Sequence, residues 1–262
     1  METKKNIYFL SDFHLGLASY EYEKAKEERI IRFLQSIEQD AKAVYLLGDI
    51  FDFWFEYRDT VPKGFVAFMA QIKHMTQIGI EVNYFRGNHD LWQRDYFKKE
   101  LGVNIYRKNI DTITIDNKTF VVGHGDGLDD KDWGYKAMDA VFSNHFFWWL
   151  FSLLPGCIGL SLARRWSRGN RVKHAKYDAP DSEYNTTNPK RREPMKEFCQ
   201  NYLKTKHVDY FIFGHRHIKS FYSLEGGSKY LNTGAWIKDS PYGVWDGNEL
   251  LLKTYEDNKK IL

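Results

Sequence analysis

Residues 6–14 read Asn6-Ile7-Tyr8-Phe9-Leu10-Ser11-Asp12-Phe13-His14, a short apolar run that ends abruptly on an aspartate and a histidine. A β-rich apolar run of this length predicts a buried strand, and its polar end falls where strand gives way to loop. The same pattern recurs four times. Val44–Leu47 is followed by Gly48-Asp49, and Val82–Phe85 by Arg86-Gly87-Asn88-His89-Asp90. Phe120–Val122 is followed by Gly123-His124-Gly125-Asp126, and Tyr210–Phe213 by Gly214-His215-Arg216-His217. Between the first two strands, Ile30, Ile31, Phe33, Leu34 and Ile37 give Glu21–Gln39 one apolar face, the mark of an amphipathic helix. Pro62-Lys63-Gly64 opens a second helix, expected to run to about Ile78 and stop at Gly79.

Strands alternating with helices predict right-handed crossovers and an α/β fold with a mostly parallel sheet covered by helices. Asn117-Lys118, between Ile113–Ile115 and Phe120–Val122, predicts a hairpin, so the sheet is expected to be mixed. Ser220–Leu224, Lys229–Leu231, Gly243–Trp245 and Leu250–Thr254 predict short antiparallel strands.

Loops at the carboxyl ends of strands in an open α/β sheet gather on one edge and form its binding crevice. Asp12, His14, Asp49, Asn88, His124, His215 and His217 are therefore expected to converge. A single Asp or His at a strand end is usually a cap or a satisfied loop residue. Five such ends in order, holding five of the nine histidines, are a different matter. Three oxygen donors and four imidazoles exceed the needs of one divalent ion. They suit two cations that share a carboxylate and leave room for water. With no thiolate in the set, a structural zinc of the cysteine type is excluded. The Asp, Asn and His mixture favours Mn²⁺, with Fe²⁺, Zn²⁺ and Mg²⁺ as alternatives.

Composition bounds the rest. The chain has 262 residues, 43 % hydrophobic and 28 % charged, which excludes a disordered or multi-span membrane protein. A single domain over 1–262 is expected, with an insertion at about 133–188. Net charge is +3, too balanced to announce a nucleic-acid binder. Two cysteines and a short apolar run at the N-terminus point to a reducing, cytoplasmic setting. The outlier is the aromatic share, 17 %.

Much of that share lies in the insertion. From Ala140 to Ala163 only His145 can carry charge, and Phe142, Phe146, Phe147, Trp148, Trp149 and Phe151 crowd together. Ser143-Asn144-His145 and Pro155-Gly156 interrupt the run, so a helical hairpin bent at Pro155-Gly156 is expected rather than a membrane span. Arg164, Arg165, Arg168, Arg171, Lys173 and Lys176 follow, with no acidic residue before Asp178. An apolar hairpin beside a basic run describes an element lying on an anionic membrane surface, here over 140–176. A buried lid closed by a solvated basic face is the competing description, and a lid that holds acyl chains satisfies both.

Asp-x-His, Gly-Asp, Gly-Asn-His-Asp, Gly-His and Gly-His-x-His together resemble the calcineurin-like metallophosphoesterase superfamily, from residue 12 to 217. The resemblance implies a four-layer α/β/β/α sandwich. It also implies that Asp12, His14, Asp49 and His217 hold one metal. Asp49 would bridge to a second, completed by Asn88, His124 and His215. His89 would contact the scissile phosphate, steadied by Asp90, and water activated by the metals would attack phosphorus directly, without a Ser or Cys nucleophile.

Longer matches narrow this. Ser11-Asp12-Phe13-His14-Leu15, Leu46-Leu47-Gly48-Asp49-Ile50-Phe51-Asp52-Phe53-Trp54 and His124-Gly125-Asp126-Gly127-Leu128 resemble the UDP-2,3-diacylglucosamine hydrolase family of lipid A biosynthesis. Asp132-Trp133-Gly134-Tyr135 and Gly234-Ala235-Trp236 do so as well. That resemblance implies a helical lid for acyl chains and release of UMP and 2,3-diacylglucosamine 1-phosphate (lipid X). It further implies peripheral association with the inner membrane and no nucleic-acid partner. Asn88, His89 and His215 would touch substrate, and Asp132 would contact the glucosamine. Ser167, Asn170, Lys173 and Lys176 are expected to supply the lid's polar contacts. One departure stands out: the proteobacterial enzymes read Gly-Asn-Arg-Asp where this chain has His89. The chain is then a divergent branch with the same substrate, or a relative acting on another lipid-linked diphosphate, a nucleotide or nucleic acid. Oligomeric state is left open.

Overall fold

The structure is a computed structural model that describes residues 4–129, 133–156, 158, 159, 161, 193–237 and 239–257. Strands β1 (Asn6–Leu10), β2 (Ala41–Leu47), β3 (Glu81–Phe85) and β4 (Asn104–Tyr106) pair in parallel. Helices α1 (Tyr20–Ser36) and α2 (Val66–Gln77) make the crossovers. β5 (Ile110–Ile115), β6 (Lys118–Gly123), β7 (Tyr210–Phe213), β8 (Ser220–Ser223) and β9 (Lys229–Asn232) form a second sheet, in the order β5-β6-β7-β9-β8. β10 (Pro241–Trp245) and β11 (Leu250–Thr254) return to the first sheet, in the order β11-β10-β1-β2-β3-β4.

Side-chain alternation sorts the core into layers. On β1, Tyr8 and Leu10 pack with Ile30, Phe33 and Leu34 of α1, whereas Ile7 and Phe9 face the second sheet's Phe120 and Ile212. The outer face of the second sheet, with Val121, Phe211 and Tyr230, is covered by Met195 and Cys199 of α5 (Pro194–Leu203). The result is the expected four-layer helix–sheet–sheet–helix sandwich. Both strands at its centre are apolar on both faces because each face is covered.

Some expectations shift. α2 begins later than the Pro62-Lys63-Gly64 signal, because Phe65 adopts a left-handed φ of 59° ahead of Val66. The hairpin turns at Asp116-Asn117 rather than Asn117-Lys118, since Asp116 and Asn117 both take positive φ (48° and 61°). That is the pair a type I′ turn needs. β9 pairs antiparallel with β8 but parallel with β7, so the expected antiparallel set is mixed. The π-helical turn Phe97–Leu101 and strand β4 were not signalled by the sequence pattern.

Within the expected insertion, the described helices break at both expected interruptions, at Ser143-Asn144 and again over 153–155. α3 (Trp133–Phe142) stops and α4 (His145–Ser152) starts, with the Asn144 side chain capping Phe146 N–H at 2.8 Å. One face of α4 docks on the loops after β2 and β3, where Phe151 meets Phe55 at 4.8 Å and Trp92 at 5.2 Å between ring centroids. The other face is open: Phe146 and Leu153, just beyond the helix, are each 60 % exposed and Trp149 is 52 % exposed. No helix among the described residues is long and apolar enough to cross a membrane.

Candidate metal centre

The seven predicted donors converge. Asp12 and His14 follow β1, Asp49 follows β2 and Asn88 follows β3, all in the first sheet. His124 follows β6, and His215 and His217 follow β7, in the second. The loops after β1 and β2 are stitched together by Asp12 N–H to Gly48 O at 3.1 Å and His14 N–H to Asp49 O at 3.0 Å.

The first group is Asp12, His14, Asp49 and His217, whose donor atoms all lie within 4.8 Å of one another. His14 Nε2 and His217 Nε2 approach to 3.0 Å, and His217 Nε2 lies 3.1 Å from Asp12 Oδ1. In the second group Asn88 Oδ1 lies 3.1 Å from His124 Nε2 and 3.0 Å from His215 Nδ1, and the two imidazole nitrogens are 3.3 Å apart. Asp49 Oδ2 belongs to both groups, 3.7 Å from His14 Nε2 and 3.3 Å from His124 Nε2. Its Oδ1 is held by His89 N–H at 2.8 Å. One oxygen is thus anchored and the other stands between the two groups.

Two details show that this donor set fits a metal ion. His124 Nδ1 lies 2.8 Å from the Leu47 carbonyl, so it carries the proton and leaves the Nε2 lone pair facing Asn88 and His215. Asp12 Oδ2 accepts His215 N–H at 3.0 Å and the Ser11 hydroxyl, while its buried Oδ1 accepts no hydrogen bond. Lone pairs crowded at such distances, on groups that cannot all donate, call for a positive charge among them.

The backbone is strained to make this possible. Asp12, His14, Asp49, His215 and His217 all take positive φ, between 45° and 66°. Left-handed backbone on non-glycine residues costs about 1–3 kcal/mol each and concentrates at functional sites. Gly87 and Gly214 clear the remaining space. A Cβ on Gly87 would overlap the Asp49 carboxylate and amide, and one on Gly214 would overlap Ser11 Oγ and Asp12 Oδ2.

Charge is shared unevenly. Burial works against charge on Asp12 and Asp49, but the histidines around them hold both carboxyls below the usual range. Burial likewise works against charge on His124, yet Asp49 raises its pKa well above the ordinary imidazole value, so a cation at Nε2 would take the place of a second proton there. His215 is pushed down to about 4 by burial and by His124. His89 is lowered by burial against the pull of Asp49.

Asp90 is placed differently from its expected role of steadying His89. The Asp90 carboxylate does not steady the His89 ring. Asp90 accepts the N–H groups of Gly87, Asp49, Ile50 and Phe51 and the Tyr84 hydroxyl, tying the β2 and β3 loops together. The His89 ring instead places Nδ1 2.8 Å from the Asp52 carbonyl and 3.7 Å from Asp52 Oδ1. Asp52 Oδ1 also lies 3.6 Å from His14 Nδ1. Asp52 was missed as a site residue although it sits three positions after Asp49 in a stretch already singled out. Ser11, which orients Asp12, was missed too. Asp132, Ser167, Asn170, Lys173 and Lys176 lie outside the described residues.

Two donor groups that meet at the Asp49 carboxylate, set at the carboxyl edges of two packed sheets, are the candidate centre of a metal-dependent hydrolase. Residues 5–219 match the calcineurin-like phosphoesterase family, and the chain belongs to it. It is 33% identical over 262 residues to the UDP-2,3-diacylglucosamine hydrolase of Porphyromonas gingivalis, covering 97% of this chain and 99% of that protein. It is 27% identical over 238 residues to the protein of the same name from Haemophilus influenzae, covering 90% of this chain and 92% of that one. Among solved structures, a dimetal phosphatase from Danio rerio matches with 13% identity and a TM-score of 0.47, covering 96% of each chain.

Proposed function

We propose that the chain hydrolyses the diphosphate of UDP-2,3-diacylglucosamine to UMP and 2,3-diacylglucosamine 1-phosphate, with water attacking phosphorus on the uridine side. What carries the reading is the end-to-end match to a relative of that name in a chain whose seven donor positions are all filled. Asp12, His14, Asp49 and His217 would hold one cation, and Asp49, Asn88, His124 and His215 the other. When bound, the two cations, proposed as Mn²⁺, supply an activated water and neutralise phosphoryl charge. With Asn88 Oδ1 turned to His124 and His215, its amide NH₂ is left to donate to a phosphoryl oxygen. His89 keeps Nδ1 on the Asp52 carbonyl, so Nε2 is the ring nitrogen offered to substrate. In the protonated form it donates to a phosphoryl or leaving oxygen.

Residues at about 133–188 are proposed as a lid inserted into a single domain, with Ser167, Asn170, Lys173 and Lys176 as its polar contacts and Asp132 at the sugar. The open face of α4 supports acyl-chain or membrane contact, since an apolar helix with one undocked face is stable only when that face is covered. Peripheral attachment to the cytoplasmic face of a membrane follows from the same face and the basic run after it.

The deciding assay is Mn²⁺-dependent release of UMP from UDP-2,3-diacylglucosamine in detergent, beside the deacylated analogue. The acylated substrate should be cleaved at least about tenfold faster, the worth of a few buried methylenes. Absence of UMP release sinks the assignment, and equal rates remove the acyl chains from it.

A further inference from the structure

Beyond the donor cluster, the described residues line a cavity of about 390 Å³, within the range of small-molecule sites. Arg86, Trp92 and Arg94 wall it from the end of β3 and the loop after it, Tyr106 and Arg107 from β4 and its exit, and Trp148 from α4. Its chemistry is cationic and aromatic together. The Arg94 guanidinium sits 3.6 Å from the centre of the Trp148 ring. Arg107 Nη2 donates to the Arg94 carbonyl at 3.0 Å. Neither Arg94 nor Arg107 has a carboxylate within ion-pair distance among the described residues, whereas Arg86 faces Asp139 at 3.8 Å. Tyr106 is held flat by stacking on Phe85, 4.4 Å between centroids.

A planar cation stacked on a ring, beside a second arginine, suits a planar ligand rich in hydrogen-bond acceptors. An acyl chain would leave the guanidiniums unpaired, and a bare phosphate would leave the rings unused. The location fits as well. Arg86 lies two residues before the donor Asn88, and two extended residues span at most about 7 Å. Trp92 lies three residues after His89.

We propose that this cavity seats the nucleotide half of the substrate, with the base against the Trp92, Tyr106 and Trp148 wall and Arg94 and Arg107 donating to base carbonyls and ribose hydroxyls. The proposal rests on the reading that the substrate is a nucleoside diphosphate-linked lipid, and it gives that reading a site for the uridine. Because α4 forms one wall, and Trp92 Nε1 donates to the Phe142 carbonyl at 2.8 Å, nucleotide binding would also brace the α3–α4 junction.

Calorimetry on the full Mn²⁺-loaded chain, with UMP and with inorganic phosphate as probes, tests this in the wild type, Arg94→Ala and Arg107→Ala. UMP affinity should fall about tenfold or more in each variant, the worth of a charged hydrogen bond, while phosphate affinity and Mn²⁺ content stay at the wild-type level. UMP affinity within twofold of wild type in both variants overturns the proposal, as does an equal loss for UMP and phosphate. Should either variant fail to fold, photo-crosslinking of bromouridine monophosphate to the wild type decides. Label on peptides bearing Trp92, Tyr106 or Trp148 supports the site, and label only elsewhere overturns it. Arginine-dependent UMP binding in a protein that leaves UDP-2,3-diacylglucosamine intact overturns the substrate assignment alone. Cleavage of that substrate with arginine-independent UMP affinity overturns the cavity alone.

Discussion

Asp52 sits behind two histidines at once, 3.6 Å from His14 Nδ1 and 3.7 Å from His89 Nδ1. A carboxylate behind a ligand imidazole fixes its tautomer and raises its basicity, and losing one typically costs 10–100-fold in activity or metal affinity. Asp52→Asn keeps the shape and removes the charge. It should lower kcat/KM for UMP release by roughly that 10–100-fold factor and weaken Mn²⁺ uptake measured by titration of the metal-free protein. Unchanged values for both would leave Asp52 a bystander. The donors themselves were legible because type and place coincide: an Asp, Asn or His at the end of an apolar strand has few other reasons to recur in five strands. Asp52 was not, because its role depends on a turn that brings it under rings from two other loops. Asp90 was misread for a related reason. Its neighbour in sequence is His89, but its partners in space are backbone N–H groups of two segments, the loops after β2 and β3.

Among elements, one half-buried carboxylate reinforces the ladder that joins β6 to β7. Asp209, just before β7, accepts Thr119 N–H at 2.8 Å and lies 3.2 Å from Lys118 Nζ. Burial would raise its pKa, but these contacts outweigh it and hold the carboxyl below its ordinary value. A depressed carboxyl stabilises the fold above its unfolded pKa, and that contribution is lost as pH falls through the folded value. Asp209→Asn should therefore cost about 1 kcal/mol in urea unfolding at pH 7, discounted for solvent screening, with the difference from wild type shrinking as pH falls below the ordinary carboxyl pKa of about 4. A difference that persists at low pH would assign the effect to packing. On α4, the two faces should separate cleanly. Phe151→Ala removes a ring packed on Phe53, Phe55 and Trp92, and should destabilise by about 2 kcal/mol. Leu150→Ser on the open face should change stability by under about 0.5 kcal/mol while lowering sedimentation with anionic vesicles. Equal vesicle binding by wild type and Leu150→Ser would remove that face from membrane contact. The strand and helix order was readable from periodicity, and both interruptions of the aromatic run were readable from its breakers. Asn144 ends one helix and caps the next through a local hydrogen bond, and α4 stops at Ser152, just before Pro155-Gly156.

At the level of the whole molecule, the donors straddle the seam between the two sheets. Asp12, His14, Asp49 and Asn88 come from the first sheet, His124, His215 and His217 from the second, and each proposed cation position draws on both. A cation there would do more than serve the reaction. It would tie the sheets together and offset five left-handed donor conformations. Binding to the folded state alone stabilises by about 2.7 kcal/mol per site at a hundredfold excess over Kd. For a chain of this size each kcal/mol moves Tm by about 2–4 °C, so two sites amount to about 10 °C or more. Stripping the metal with a chelator should lower Tm by that amount, and returning Mn²⁺ should restore it. Asp49→Asn is the informative control, because Asp49 Oδ2 is the one atom common to both donor groups. With the shared charge gone, the chelator-dependent shift should drop to half or less. A chelator shift of the same size in Asp49→Asn and wild type would mean that the two positions are held independently and that no carboxylate is shared between them.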